Sequence, residues 1–189
     1  MVSIPRRGLL LLLPLAGCRS PNPVLYSLVV PPGPVLMGGP KVVALRDVSL
    51  AGYLDRLQIV RSSDDYRLTV QENEWWGEPL GGMLTRVLVG AVSQRLPRSS
   101  VVGTSTTSAL SPDATVEVSI QRLDADRAGP VTLAAQIAAS YRSERRAPAV
   151  RPFIASVPQE TPDTRGFVAA ASVAVGQLAD AIASMLRTP

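Results

Sequence analysis

The sequence predicts an α+β domain, a mixed, mostly antiparallel sheet covered by two main helices. Three observations predict it. Residues 114–125 and 131–141 alternate apolar and polar side chains with the two-residue period of half-buried strands. Apolar residues at 80, 83, 84, 87, 88, 91 and 92 repeat at the spacing of one helix face. An alanine-rich run from about residue 162 to 186 repeats at the same helical spacing. Runs of strands beside separate helices, without strict βαβ alternation, are the α+β pattern. No internal repeat or composition break divides residues 24–189, so they form a single domain.

Each element follows in order. Val24-Leu25-Tyr26-Ser27-Leu28-Val29-Val30 predicts a first strand, ended by Pro31-Pro32. Residues 31–40 carry four prolines and three glycines and must be loop. Residues 41–48 predict a second strand, residues 51–54 a turn, and residues 57–61 a third strand. Residues 62–65 supply turn chemistry, with Asp64-Asp65 read as part of that turn, and residues 66–70 return as the second arm of a hairpin. The first helix presents Leu80, Met83, Leu84, Val87, Leu88, Ala91 and Val92 on one face, between Pro79 and Pro97. Gly81 and Gly82 weaken its first turn, by up to about 1 kcal/mol each relative to alanine. Residues 99–107 give a strand and a Ser/Thr-rich loop. Val116, Val118 and Ile120 alternate with Glu117, Ser119 and Gln121 in the strand that follows. A turn at 126–130 leads to the returning strand, residues 151–157 add another, and the last helix carries Phe167, Ala171, Val175, Leu178, Ile182 and Leu186 on one stripe.

The N-terminus reads differently. Arg6 and Arg7 form a positive n-region, residues 8–16 an apolar stretch, and Gly17-Cys18 a small-residue junction. The apolar stretch is about half of what a membrane-spanning helix needs, roughly 20 residues. Leu15-Ala16-Gly17-Cys18 matches the lipobox of lipoprotein signal peptides, in which the cysteine thiol accepts a diacylglyceryl group and the bond before it is cut. The chain therefore divides into a signal peptide at 1–17, a lipidated tether at 18–23 and a domain at 24–189. Cys18 is the only cysteine. Stable anchoring takes two or more acyl chains, and a bacterial lipoprotein cysteine typically carries three. Arg19 follows it where an aspartate commonly signals retention in the inner membrane, so the expected location is the periplasmic face of the outer membrane.

Composition excludes several classes. There is no histidine, and acylation consumes the one thiol, which removes His-based triads, cysteine nucleophiles and nearly all zinc sites. It also removes disulfides, so burial alone must stabilise the fold. No paired acids, phosphate-binding loop or dinucleotide fingerprint appears, so neither an enzyme, a cofactor nor a metal is expected. The formal charge of +4 falls to +2 once Arg6 and Arg7 leave with the signal. With basic residues scattered and a periplasmic compartment, nucleic acid is not an expected partner. The largest basic cluster, Arg142, Arg145 and Arg146, is interrupted by Glu144 and reads as a solvated turn, with contact to anionic head groups or an acidic partner as the alternative.

Certain segments carry a family resemblance. They are the lipobox cysteine followed by Val24-Leu25-Tyr26-Ser27-Leu28, then Tyr53-Leu54-Asp55-Arg56-Leu57-Gln58-Ile59-Val60, then Glu74-Trp75-Trp76-Gly77-Glu78-Pro79-Leu80 before the first helix, and a C-terminal helix with Gly176-Gln177-Leu178-Ala179-Asp180. In order and spacing the chain resembles the ABC-type transport auxiliary lipoproteins, the family of paraquat-inducible protein C. Leu57 stands where that pattern usually has proline, and Trp76-Gly77 replaces a small-acidic pair. The resemblance implies a role rather than a reaction. It places the protein with an inner-membrane ABC transporter and a periplasmic MCE-family protein in lipid transport, docking the MCE component to a membrane, with assembly as a homo-oligomeric ring as a further implication. The alternative is a periplasmic carrier that binds lipid or another apolar ligand in its own cavity.

Candidate partner contacts are Tyr53, Leu54 and Trp76. Tyr53-Leu54 falls in a loop, where an exposed apolar pair would mark an interface. Trp75 and Trp76 are adjacent and cannot face the same way; Trp75 is the expected core anchor and Trp76 the partly exposed ring.

Overall fold

The structure, a computed structural model, describes residues 22–63, 67–104, 111–125, 129–143 and 145–187. The strands are β1 (Val24–Tyr26), β2 (Val42–Leu45), β3 (Ser49–Leu50), β4 (Gln58–Ser63), β5 (Arg67–Trp76), β6 (Ser100–Gly103), β7 (Ala114–Ala125), β8 (Val131–Tyr141) and β9 (Ala149–Val157). A short 3-10 turn spans Gly52–Leu54, and the helices are α1 (Leu80–Arg95) and α2 (Thr164–Arg187). The α+β class with two main helices stands as expected. The strands divide between two sheets where one was expected: β1-β5-β4, and β6-β2-β7-β8-β9 with β3 also beside β7.

The larger sheet is mixed. β7, β8 and β9 form an antiparallel meander, while β2 and β3 run parallel to β7, and β6 runs parallel to β2. β2 and β3 are one strand broken by a kink. Leu45 lies opposite Val116 and Ser49 opposite Ser119, so three residues on one side face two on the other. At the kink the Val48 N–H donates to Thr85 Oγ1 at 2.9 Å, which docks the first turns of α1 there.

Both helices lie on one face of the large sheet. Leu80, Met83, Leu84, Leu88, Ala91 and Val92 of α1 are buried, as the spacing predicts. In α2 the whole predicted stripe is buried, and Ala170, Ala174, Ala179 and Ala183 join it. Small side chains bring α2 close to the sheet, which presents Ala135, Ala139 and Ala155 from its inner face. α2 is long and apolar enough to cross a membrane, but 72% of its apolar window is buried inside the fold.

The differences from the sequence reading have local causes. The first strand ends at Tyr26 because the backbone then bonds to the helices. The Leu28 N–H points at Met83 Sδ (3.4 Å), and the Val29 N–H donates to Ser172 Oγ (3.1 Å). β5 runs on to Trp76 through Gln71-Glu72-Asn73-Glu74, polar residues that suit a strand solvated on both faces. The hairpin of β4 and β5 is antiparallel as predicted; its turn, with Asp64 and Asp65, lies outside the described residues. β9 begins two residues earlier than predicted, and its Pro152 is tolerated because β9 is an edge strand.

Residues 27–40 form a strap along the cleft between α1 and α2. Val30 and Pro31 lie against Gly176 of α2. Gly33 lies flat on the guanidinium of Arg95, where a Cβ would come within 2.3 Å of Nη2, and exchanges two hydrogen bonds with the Gln94 amide at 3.0 and 3.1 Å. Gly38 and Gly39 have φ of 93° and 103°, the left-handed turn that swings the chain into β2. Arg95 itself is only 2% exposed. Its Nε pairs with Asp180, Nη1 donates to the Ala91 carbonyl (3.1 Å) and Nη2 to the Gly176 carbonyl (3.1 Å).

Two predictions follow from these contacts. Asp180→Ala leaves a buried guanidinium without its counter-charge and should cost about 3 kcal/mol. Arg95→Met removes the charge along with the pair and should cost clearly less, because Asp180 is 37% exposed and can hydrate. Urea unfolding of the two variants tests this order. On the acid side, Asp113 accepts from the Val42 N–H, and Asp163 accepts from Thr161 Oγ1 and the Gly166 N–H. Those bonds hold both carboxyls below their ordinary 3.8. Stability they contribute is complete above that value and lost as pH falls through the lower folded values. Unfolding midpoints should therefore drop below pH 4, and Asp113→Asn with Asp163→Asn should flatten that drop.

Candidate functional site

Cys18 and Gly17, the predicted lipidation and cleavage positions, lie outside the described residues. The other candidates can be placed. Tyr53 sits in the 3-10 turn with its ring half-buried, its hydroxyl donating to Asp124 Oδ2 (3.1 Å) and accepting from the Leu123 N–H (3.3 Å). Asp124 is 5% exposed and also takes a bond from Arg122 Nε at 2.6 Å. Burial, followed by the Asp124 charge, pushes the Tyr53 phenol up to about 12. Leu54 is 3% exposed. The pair therefore holds the turn against the end of β7 instead of presenting the exposed apolar face expected of it.

The tryptophan expectation is reversed. Trp76 is the buried ring, 4% exposed, with its centroid 6.4 Å from that of Phe167. Trp75 is half-buried, with its indole N–H on the Glu72 carbonyl at 2.9 Å. Neither residue opens a helix. Both end β5, where neighbours point to opposite sheet faces, and register decides which side is core. Pairing of Tyr26 with Trp76, and the Trp76 N–H bond to the Leu57 carbonyl (2.7 Å), place Trp76 inward.

Two arginines of the basic cluster make local contacts. Arg142 pairs with Asp113. Arg146 donates to the carbonyls of Leu186 (2.9 Å) and Met185 (2.8 Å), and stacks on Tyr141 with its guanidinium carbon 3.7 Å from the ring centroid. It thus caps the C-terminus of α2, where a positive charge is favoured. Glu144 lies outside the described residues.

The conspicuous open surface lies beside the strap, which the sequence reading did not single out. A groove of about 360 Å3 runs between the strap and α2, lined mainly by Tyr26, Val29, Pro31, Val168, Ala169 and Val173, with Arg165 at its rim. A second, of about 300 Å3, lies between the strap and α1 beside Val87, Gly90 and Arg95. Val29 is 77% exposed and Val173 39%. Arg165, Ala169 and Val173 are exposed at four-residue spacing, one outward stripe on an otherwise buried helix. At the end of the first groove the Tyr26 hydroxyl donates to Glu74 Oε1 (3.2 Å), and Thr164 bonds the other Glu74 oxygen. Burial, then the Glu74 charge, raises the Tyr26 phenol above its ordinary value. Among the described residues no group of three or more His, Cys, Asp or Glu is arranged to hold a metal.

Fold and surface together define an α+β domain whose polar clusters join its own elements and which carries an apolar groove between the strap and α2. The particular family follows from sequence. The chain belongs to the ABC-type transport auxiliary lipoprotein component family, whose model matches residues 26–183. It is thus a transport auxiliary component of the cell envelope. No curated protein sequence matches it. Among solved structures, an uncharacterized protein superposes with a TM-score of 0.74 at 20% identity, over 87% of this chain and 99% of its own. A Xanthomonas campestris protein of the DUF330 family gives 0.71 at 21% identity, over 86% and 94%. At these identities the two structures speak for the fold.

Tyr53→Phe removes two hydrogen bonds from a partly buried cluster and should cost about 1–2 kcal/mol. The raised folded value means that Tyr53 stabilises fully below the ordinary pKa of 10, a contribution lost as pH rises toward 12. An ultraviolet phenolate titration of the folded protein should show a late component near 12 that the Phe variant lacks.

Proposed function

We propose that this chain is a non-catalytic, lipid-anchored accessory subunit of an ABC-type lipid transport system, docking the periplasmic MCE component to the outer membrane. The observation that carries the reading is one of order along the chain. A lipobox cysteine, Cys18, stands just ahead of a domain that the family model matches from residue 26. A transport auxiliary component held by lipid at its N-terminus acts by where it is and what it touches. Arg19 after the cysteine favours the outer membrane. The carrier alternative needs a largely enclosed apolar cavity. The alanine contacts between α2 and the sheet, and the open form of the two grooves, favour docking.

The reading is tested in cells of the source organism type by crosslinking, purification of the tagged full chain and mass spectrometry. An MCE protein and an ABC permease should copurify, and Cys18 should carry a diacylglyceryl mass. Cys18→Ala should lose that mass and leave the outer-membrane fraction of a density gradient. Retention of the variant there would sink the anchor. One tightly held lipid per monomer in native mass spectrometry, with no MCE partner, would favour the carrier.

A further inference from the structure

We infer that the groove between the strap and α2 is a second membrane contact, which seats the domain on the same lipid leaflet that holds the Cys18 acyl chains. The inference rests on the lipid-anchor reading and adds to it a surface of the folded domain. The chain's reach carries the argument. From Cys18 to Val24 there are six residues, which extend to at most about 22 Å. β1 therefore starts within that distance of the lipid surface, and Tyr26 of β1 is already a wall of the groove.

What the tether brings close is apolar. Of the large hydrophobic side chains exposed among the described residues, three lie at the start of the domain: Val24, Leu25 and Val29. Val24 shares the strand face of Tyr26, and across the groove Val173 adds to the same surface from α2. Singly exposed valines need no explanation, but a run of them beside an apolar groove marks an interaction site. Arg165 at the rim suits the lipid head-group level, where a long basic side chain lays its stem on apolar surface and its charge among phosphates. The acids at that end, Glu74 and Asp163, are occupied by hydrogen bonds to Tyr26, Thr164, Thr161 and the Gly166 N–H.

The test exploits the single native cysteine, whose thiol acylation consumes. Full-length protein carrying Val29→Cys, Val173→Cys or Gln136→Cys is produced with its signal. It is labelled with the environment-sensitive dye NBD and reconstituted into vesicles of phosphatidylethanolamine and phosphatidylglycerol. Gln136 is exposed on the solvent face of the large sheet and serves as the control. The expected result is a blue shift and gain of emission at 29 and 173 on vesicles, with none at 136. Vesicle-bound protein with no shift at 29 or 173 would overturn the groove contact and leave the anchor standing. Protein that neither floats with vesicles nor carries an acyl mass on Cys18 would overturn both. A shift in detergent that grows with protein concentration, without vesicles, would assign the groove to a second copy of the chain and overturn the proposal.

Discussion

The burial of Arg95 is the constraint on which the helical layer depends. A guanidinium 2% exposed in a core must find every partner it can, since an unpaired charge there is costly. Arg95 finds them on three segments that are distant in sequence. Its own helix supplies the Ala91 carbonyl, α2 supplies Asp180 and the Gly176 carbonyl, and the strap supplies the flat face of Gly33. Its backbone carbonyl also accepts from the Leu36 N–H at 2.7 Å. The relative position of α1 and α2 and the course of residues 30–36 are thus set at one point. A proline-rich segment suits this arrangement, because prolines reduce both the backbone donors to be satisfied and the entropy lost on ordering.

The elements that were legible in sequence are those whose own periodicity meets one large apolar surface. α1, α2, β7 and β8 each carry an apolar stripe, and burial follows it except at Val87, half-buried beside a groove, and past the bulge after Ile120 of β7. Arg95 was legible in principle, since it continues the α1 stripe four residues after Ala91, but its charge argues against burial unless Asp180 is known to face it. What could not be read is partnership. Nothing local tells residues 42–45 and 49–50 that they lie along β7 in parallel, or that one extra residue kinks them apart. β5 hides its second half for a related reason: most of its residues are exposed whichever face they take, so they need not alternate.

The candidate contacts illustrate the same limit. Tyr53 and Leu54 look like contact residues because they fall in a loop, and Trp76 because its neighbour Trp75 was expected to take the core side. Both rings find a partner at long range, Tyr53 on Asp124 and Trp76 on Phe167. Val29 and Val173 show the converse. Both belong to apolar runs that predict burial, and both stay exposed because the strap turns away from β1 and lies along the helices. Exposure of this kind is set by topology, so the groove emerges only when the strap and α2 are seen together.

That groove bears on what a lipid anchor accomplishes. Three acyl chains already suffice to hold a protein at a membrane, so a further apolar contact adds little to attachment. It can add orientation. A domain held only by a lipid at its N-terminus would be free to take many attitudes, each leaving a different surface pointing away from the bilayer. α2 runs for 24 residues from Thr164, beside the groove, to Arg187 at the strap's turn into β2. At 1.5 Å per residue its far end stands about 36 Å away. Seating this flank of α2 on lipid would fix one attitude of the domain and so select which of its faces point away from the bilayer. For a docking subunit, a fixed attitude lowers the orientational cost of meeting a partner. An anchor alone supplies proximity, and a seated domain supplies a direction as well.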